Sequence, residues 1–144
     1  MNIDNSAPLK ARKEIVIGAP LETVWALLTD IERWPQWQPD VSSARLEGEL
    51  AVGAVFRWKA KGLGIVSTVQ ALEQGRCIGW TGNSVGMRAV HIWTLEPQGE
   101  GVRVATEESL TGWLAQTMKI FDRNFLEKSL EGSLQVLKAR AERR

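Results

Sequence analysis

The chain has 144 residues, of which 44% are hydrophobic and 24% charged, with a formal net charge of +1. This length holds one domain with a single core, and the composition is that of an ordinary folded protein. Near-neutral charge leaves no electrostatic footprint for nucleic acid or an anionic bilayer, so neither nucleic-acid binding nor stable membrane insertion is expected.

Residues 1–9 are expected to be disordered or loosely held, and residues 10–144 to form the domain. No apolar core follows the polar start, so no secretory leader is expected. The lone Cys77 cannot form an internal disulfide, which fits a reducing cytoplasm. Residues 12–18 alternate basic and apolar side chains, the period of a strand. Pro20 suits the first turn of a helix and Glu22 its positive end, and Val24, Trp25, Leu27, Leu28 and Ile31 give that helix a broad apolar face. Pro35 and Pro39 forbid a regular continuation, which predicts a second short turn near residues 31–34 and then extended chain.

Strands are predicted at 41–50, 54–61, 65–74, 76–81, 86–96 and 102–110, divided by glycine-containing turns such as Gly62-Leu63-Gly64 and Gln74-Gly75. Turns this short pair neighbours antiparallel. The first strand is followed by helices, so it joins the sheet elsewhere. In residues 111–141, Leu114, Met118, Phe121, Phe125, Leu130, Leu134, Leu137 and Ala141 recur at steps of three and four, with one step of five between Phe125 and Leu130. This predicts one long helix with a single apolar stripe, too charged to span a membrane. A stripe of that length needs an equally long apolar partner. The predicted architecture is α+β, a seven-stranded curved antiparallel sheet wrapped around the terminal helix, with a cavity between them.

Two stretches around the first helix, Ala19-Pro20-Leu21-Glu22-Thr23-Val24-Trp25 and Asp30-Ile31-Glu32-Arg33-Trp34-Pro35-Gln36-Trp37, carry a family likeness. So do His91-Ile92-Trp93-Thr94-Leu95-Glu96-Pro97, Gly101-Val102-Arg103-Val104 and Glu107-Glu108-Ser109-Leu110-Thr111-Gly112. Together they resemble the polyketide cyclase/dehydrase-like branch of the START/Bet v 1 (SRPBCC) superfamily, over residues 12–141. The resemblance implies the helix-grip fold, in which two short helices close one end of a curved sheet and a long helix roofs a hydrophobic cavity. Members include lipid carriers, hormone receptors, aromatic cyclases, oxygenase domains and cochaperones, so function has to be read from the cavity itself.

Nucleotide-binding loops and a Gly-x-Ser-x-Gly nucleophile are missing, and one histidine with one cysteine cannot make the usual metal ligand sets. No cofactor or metal is expected. What remains is a comparison of strand faces. Val102 and Val104 belong inside and Arg103 outside, which turns Thr106 and Glu108 inward; Trp93 and Leu95 favour the same for His91, though one bulge would reverse that strand. His91 and Glu108 then share one cavity, either as a general acid/base pair or as a buried polar pair that catalyses nothing. In the first case the carboxylate is expected to fix the tautomer and raise the histidine pKa.

Seven tryptophans with no tyrosine offer rigid apolar faces to a core or a ligand. The expected ligand-binding set is Trp37 at the closed end, Phe56, Trp58, Trp80 and Trp93 on the wall, His91, Thr106 and Glu108 as polar groups, and Phe121, Asn124 and Phe125 on the roof. Asn124 is equally compatible with facing solvent. Cys77 shares the opposite face with Gly79 and reads as a small buried or edge residue. Three functions are compatible with this site. The first is binding or transport of a small hydrophobic molecule, lipid-like or aromatic, by a monomer or homodimer. The second is a cofactor-independent cyclase or dehydratase, a lyase or isomerase, using His91 and Glu108. The third is a cochaperone-like module, which requires a large exposed apolar patch.

Overall fold

In the computed structural model, which describes residues 1–143, the alternating segment near the start forms β1, Leu9–Ile17. Arg144, the last residue of the expected domain, lies outside the described residues. Helix α1, Leu21–Thr29, begins after Pro20 and buries Val24, Trp25 and Leu28; a 3-10 helix, Ile31–Gln36, follows and buries Ile31 and Trp34. Six further strands run β2 (Val41–Glu47), β3 (Val55–Ala60), β4 (Leu63–Glu73), β5 (Cys77–Ser84), β6 (Met87–Gln98) and β7 (Gly101–Thr111).

All neighbours pair antiparallel in the order β1-β7-β6-β5-β4-β3-β2. The first strand therefore joins β7, with Leu9 opposite Leu110 and Ile17 opposite Val102. Register shifts between Val41 and Ser43 and between Val69 and Ala71 mark irregularities in β2 and β4, which bend a sheet and increase its twist. The β6–β7 register is unbroken from Arg88–Thr111 to Gln98–Gly101, so alternation alone decides which side chains face inward there.

The terminal helix differs from the expectation of one continuous element. It is two helices, α2 (Trp113–Phe121) and α3 (Phe125–Ala141). At the break Asp122 is extended, and its Oδ1 accepts a hydrogen bond from the Asn124 backbone N–H at 3.1 Å, a side-chain turn that competes with helix. The stripe facing the core is Leu126, Leu130, Leu134, Leu137 and Ala141. Leu126, not Phe125, keeps the helical step, which explains the irregular interval in the sequence.

Within residues 1–9, where the sequence suggests loose chain, Leu9 already belongs to β1, and Met1 and Asp4 touch the convex side of the sheet. Asp4 N donates to Ser109 Oγ at 3.0 Å, and the Met1 sulfur packs over Gly79. Ser109 and Ile92 are buried although they point away from the cavity. This accounts for the apolar character of both faces of β6.

Two apolar clusters fill the interior. The larger joins α1, the 3-10 helix and the inner faces of most strands to Leu134 and Leu137; the smaller joins Leu9, Leu110, Ala115, Leu126 and Leu130. The two clusters leave a space between them.

A cavity with a buried histidine–glutamate pair

The space between the clusters is a cavity of about 430 Å³, within the usual range for small-molecule sites. Trp58, Trp80 and Trp93 wall it on the sheet side, Leu28 and Trp34 close it from α1 and the 3-10 helix, and Leu114, Met118, Phe125, Leu126 and Leu130 roof it. Its polar lining is confined to two places. His91 and Glu108 lie on the sheet; Gln38, Asp40, Lys61, Ser129 and Ser133 lie where the end of β3 meets α3. An annex of about 70 Å³ continues past Glu108 and Trp58 toward Gly82 and Ser84. A broader hollow of about 590 Å³ beside Phe121 is surface lined by Lys119, Asp122 and Arg123, without apolar enclosure.

His91 and Glu108 face each other directly across β6 and β7, with Nδ1 and Oε2 3.4 Å apart. On the other side of the ring, Nε2 is 2.8 Å from Thr106 Oγ1. The imidazole is flanked by Trp80 and Trp93, whose ring centroids lie 5.1 and 5.4 Å from it. Both side chains are largely buried, at 10% and 16% exposure, and burial controls both protonation states. It raises the Glu108 carboxyl to about 8, against a smaller lowering by the Lys61 charge. It also lowers the His91 pKa to about 3, reversing the rise expected from a neighbouring carboxylate. At neutral pH the pair is thus a carboxylic acid beside a neutral imidazole. With Glu108 Oε2 near Nδ1 and Thr106 Oγ1 within hydrogen-bonding distance of Nε2, the tautomer of His91 sets which partner donates.

The expected ligand-binding residues divide by position. Trp58, Trp80, His91, Trp93, Glu108 and Phe125 line the cavity. Thr106 is fully buried behind His91 and orients it. Phe56 points inward but is fully buried, packed edge-on to Trp34 with centroids 5.6 Å apart, so it supports the wall from behind. Trp37 faces a separate hollow beside α1 and Arg140. Phe121 is 85% exposed at the end of α2, and Asn124 is exposed at the start of α3; neither lines the cavity. The helix break turns both away from the roof.

Sequence reasoning did not single out Trp34, Lys61, Ser129 or Ser133 as lining residues. Trp34 had a signal in the segment around Pro35, whose short helix buries it against Trp58 at 5.3 Å. Lys61 had one too: it precedes Gly62 in a two-residue turn, where lysine is an unusual choice. Among the described residues, no group of three or more His, Cys, Asp or Glu is placed to hold a metal ion, and no helix is long and apolar enough to cross a membrane.

Comparison with known proteins agrees with this architecture. A proposed polyketide cyclase of Streptomyces halstedii is 32% identical over 76 residues, 53% of this chain and 62% of that protein. The match therefore spans less than two thirds of the relative's length. A hypothetical protein from Helicobacter pylori has a similar structure, with a TM-score of 0.86 at 19% identity, covering 97% of this chain and 92% of its own. The Zhui aromatase/cyclase from Streptomyces sp. R1128 gives a TM-score of 0.79 at 16% identity, covering 94% of each chain. At these identities the structural likeness establishes the helix-grip fold alone. The sequence profile of polyketide cyclase/dehydrase and lipid transport proteins matches residues 8–142. The chain belongs to that family, within the START/Bet v 1-like SRPBCC superfamily.

Proposed function

We propose that the protein binds a small, largely apolar molecule, aromatic or polyketide-like, in the cavity between sheet and α3. The observation that carries this reading is the separation of the core into two clusters with about 430 Å³ between them. Burying a ligand's apolar surface there stabilises the complex roughly in proportion to area, at about 25 cal/mol per Å² before the costs of association. Rigid indole faces suit planar rings. Native mass spectrometry after incubation with cell extract, combined with titration of tryptophan fluorescence by naphthalene and anthracene derivatives, tests it. A retained small molecule or saturable quenching is expected; silence in both measurements overturns the reading.

The state of Glu108 favours a second reading, in which the bound molecule also reacts. A carboxylic acid kept neutral at pH 7 in an apolar site can give its proton to a hydroxyl oxygen as that C–O bond breaks and water departs. The carboxylate left behind can take a proton from the adjacent carbon, which together amounts to loss of water without a cofactor. His91 keeps the acid aimed, and Thr106 keeps His91 aimed. The family's inclusion of cyclases and dehydrases supports this chemistry. With a poly-β-ketone or β-hydroxy ketone substrate, Glu108→Gln is expected to lower turnover by about 100-fold, and His91→Ala by a comparable factor, the usual scale of acid/base catalysis. Unchanged turnover in both variants removes the catalytic reading and leaves the binding one intact.

A further inference from the structure

The cavity's mouth is organised around one lysine. Lys61 and Gly62 join β3 to β4 as a two-residue turn, and both have positive φ, 51° and 80°. Such turns favour Asn, Asp or Gly, because other side chains are strained in the left-handed region. Among the described residues Lys61 is the one non-glycine residue found there. Its position does, however, carry the ammonium across the mouth to α3. Nζ donates to Ser129 Oγ at 3.3 Å, lies 4.8 Å from the Phe125 ring centroid, and is 3.8 Å from Asp40 Oδ2. That leaves donor capacity on the ammonium, since only the Ser129 contact is a hydrogen bond. Ser133, one turn further along α3, brings a second hydroxyl to the lining. Lys61 and Glu108 both line the cavity, so the rim and the buried acid look into the same space.

We propose that this rim is a carboxylate subsite, in which Lys61, Ser129 and Ser133 hold the carboxylate of an amphipathic organic acid. The inference rests on the ligand-binding reading above and names its ligand class. The acid's apolar body lies along Trp58, Trp80 and Trp93, and a hydroxyl or carbonyl at its far end meets Glu108. A carboxylate is acceptor-only and planar, matching an ammonium beside hydroxyl donors. One lysine with an aspartate 3.8 Å away offers no surplus positive charge for a dianion such as phosphate. Asp40 is 66% exposed and can turn to water as the ligand's carboxylate takes its place. Glu108, uncharged at neutral pH, does not repel an anionic ligand.

The test uses a matched pair, 6-hydroxy-2-naphthoate and its methyl ester, titrated into the unaltered protein by fluorescence. The acid is expected to bind more tightly than the ester, with the difference shrinking in high salt. Lys61→Asn places a residue suited to the turn, so its unfolding temperature should not fall. Acid affinity should drop about fivefold, the scale of one partly exposed charge contact, while ester affinity holds. Asp40→Asn should tighten the acid selectively. Equal binding of acid and ester, or an equal loss of both in Lys61→Asn, overturns the carboxylate subsite while the cavity reading survives. Failure of both molecules to bind the unaltered protein overturns the cavity reading, and the rim proposal with it.

Discussion

At the scale of single residues, burial is stronger than pairing in the His91–Glu108 couple, and this has a measurable consequence. The native Glu108 keeps its proton up to about pH 8, whereas an unfolded one loses it near 4.5. Across that interval the unfolded state binds fewer protons, so this group's contribution to stability falls as pH rises. His91 works in the opposite sense: its native pKa is about 3 against an ordinary 6.5, so its contribution rises with pH across that range. The two slopes cancel between 4.5 and 6.5. The pair's joint contribution should therefore rise from pH 3 to 4.5, stay level to 6.5, and decline toward 8. Glu108→Gln removes the alkaline decline and leaves the acid limb. Urea unfolding of both proteins at closely spaced pH values checks this. A difference between them that stays constant from 6.5 to 8 contradicts a neutral buried acid. The position of the pair was legible in the sequence, because alternation along an unbroken ladder fixes a face. Its protonation was not, because adjacency suggests mutual charging, whereas the flanking Trp80 and Trp93 rings that enforce neutrality follow from the assembled sheet.

At the scale of elements, the divided terminal helix separates residues that a single stripe would treat alike. Leu134 is fully buried against the larger core cluster, and Phe121 is 85% exposed beyond the break. Leu134→Ala is expected to destabilise by about 2–5 kcal/mol, the range for deleting a buried leucine side chain. Phe121→Ser should change stability by less than about 0.5 kcal/mol, as for surface positions without partners. Chemical denaturation of the two variants distinguishes the observed arrangement from a continuous helix, in which both changes would be severe. The break had a local signature in Asp122 and Asn124, polar residues able to bond their own backbone. The regularity of the surrounding apolar pattern hides it. Strand order was legible for a different reason. Short glycine turns force neighbouring strands together, and β1, with two helices after it, finds its partner in β7 at the free edge. Depth along a strand has no such signature. Phe56 and Trp58 share a face of β3, but Phe56 is sealed beneath Trp34 while Trp58 reaches the cavity. Period-two alternation separates the faces of a strand and says nothing about distance from the cavity mouth.

At the scale of the whole molecule, the question is why a chain with seven tryptophans leaves its centre unfilled. The aromatic side chains crowd toward the end closed by α1 and the 3-10 helix, where Trp34, Phe56 and Trp80 are in mutual contact with centroids 5.5–5.6 Å apart. The opposite end is held by aliphatic contacts of α2 and α3 with β1 and β7. Interior space of this kind forgoes dispersion contacts and burial that a packed core would have. Stability is therefore available to any substitution that fills it. Leu110, buried on β7 and lining the cavity, is the place to add volume. Because the space already exists, Leu110→Phe should enter it without displacing its neighbours. The unfolding temperature is expected to stay level or rise by a few degrees, as for other cavity-filling changes, while naphthalene and anthracene probes lose their site. A solid interior predicts the reverse, an overpacking penalty of about 1–3 kcal/mol. Opposite movements of stability and binding in one variant would identify the cavity as space held open at the expense of the fold, and a parallel loss of both would return those residues to the core.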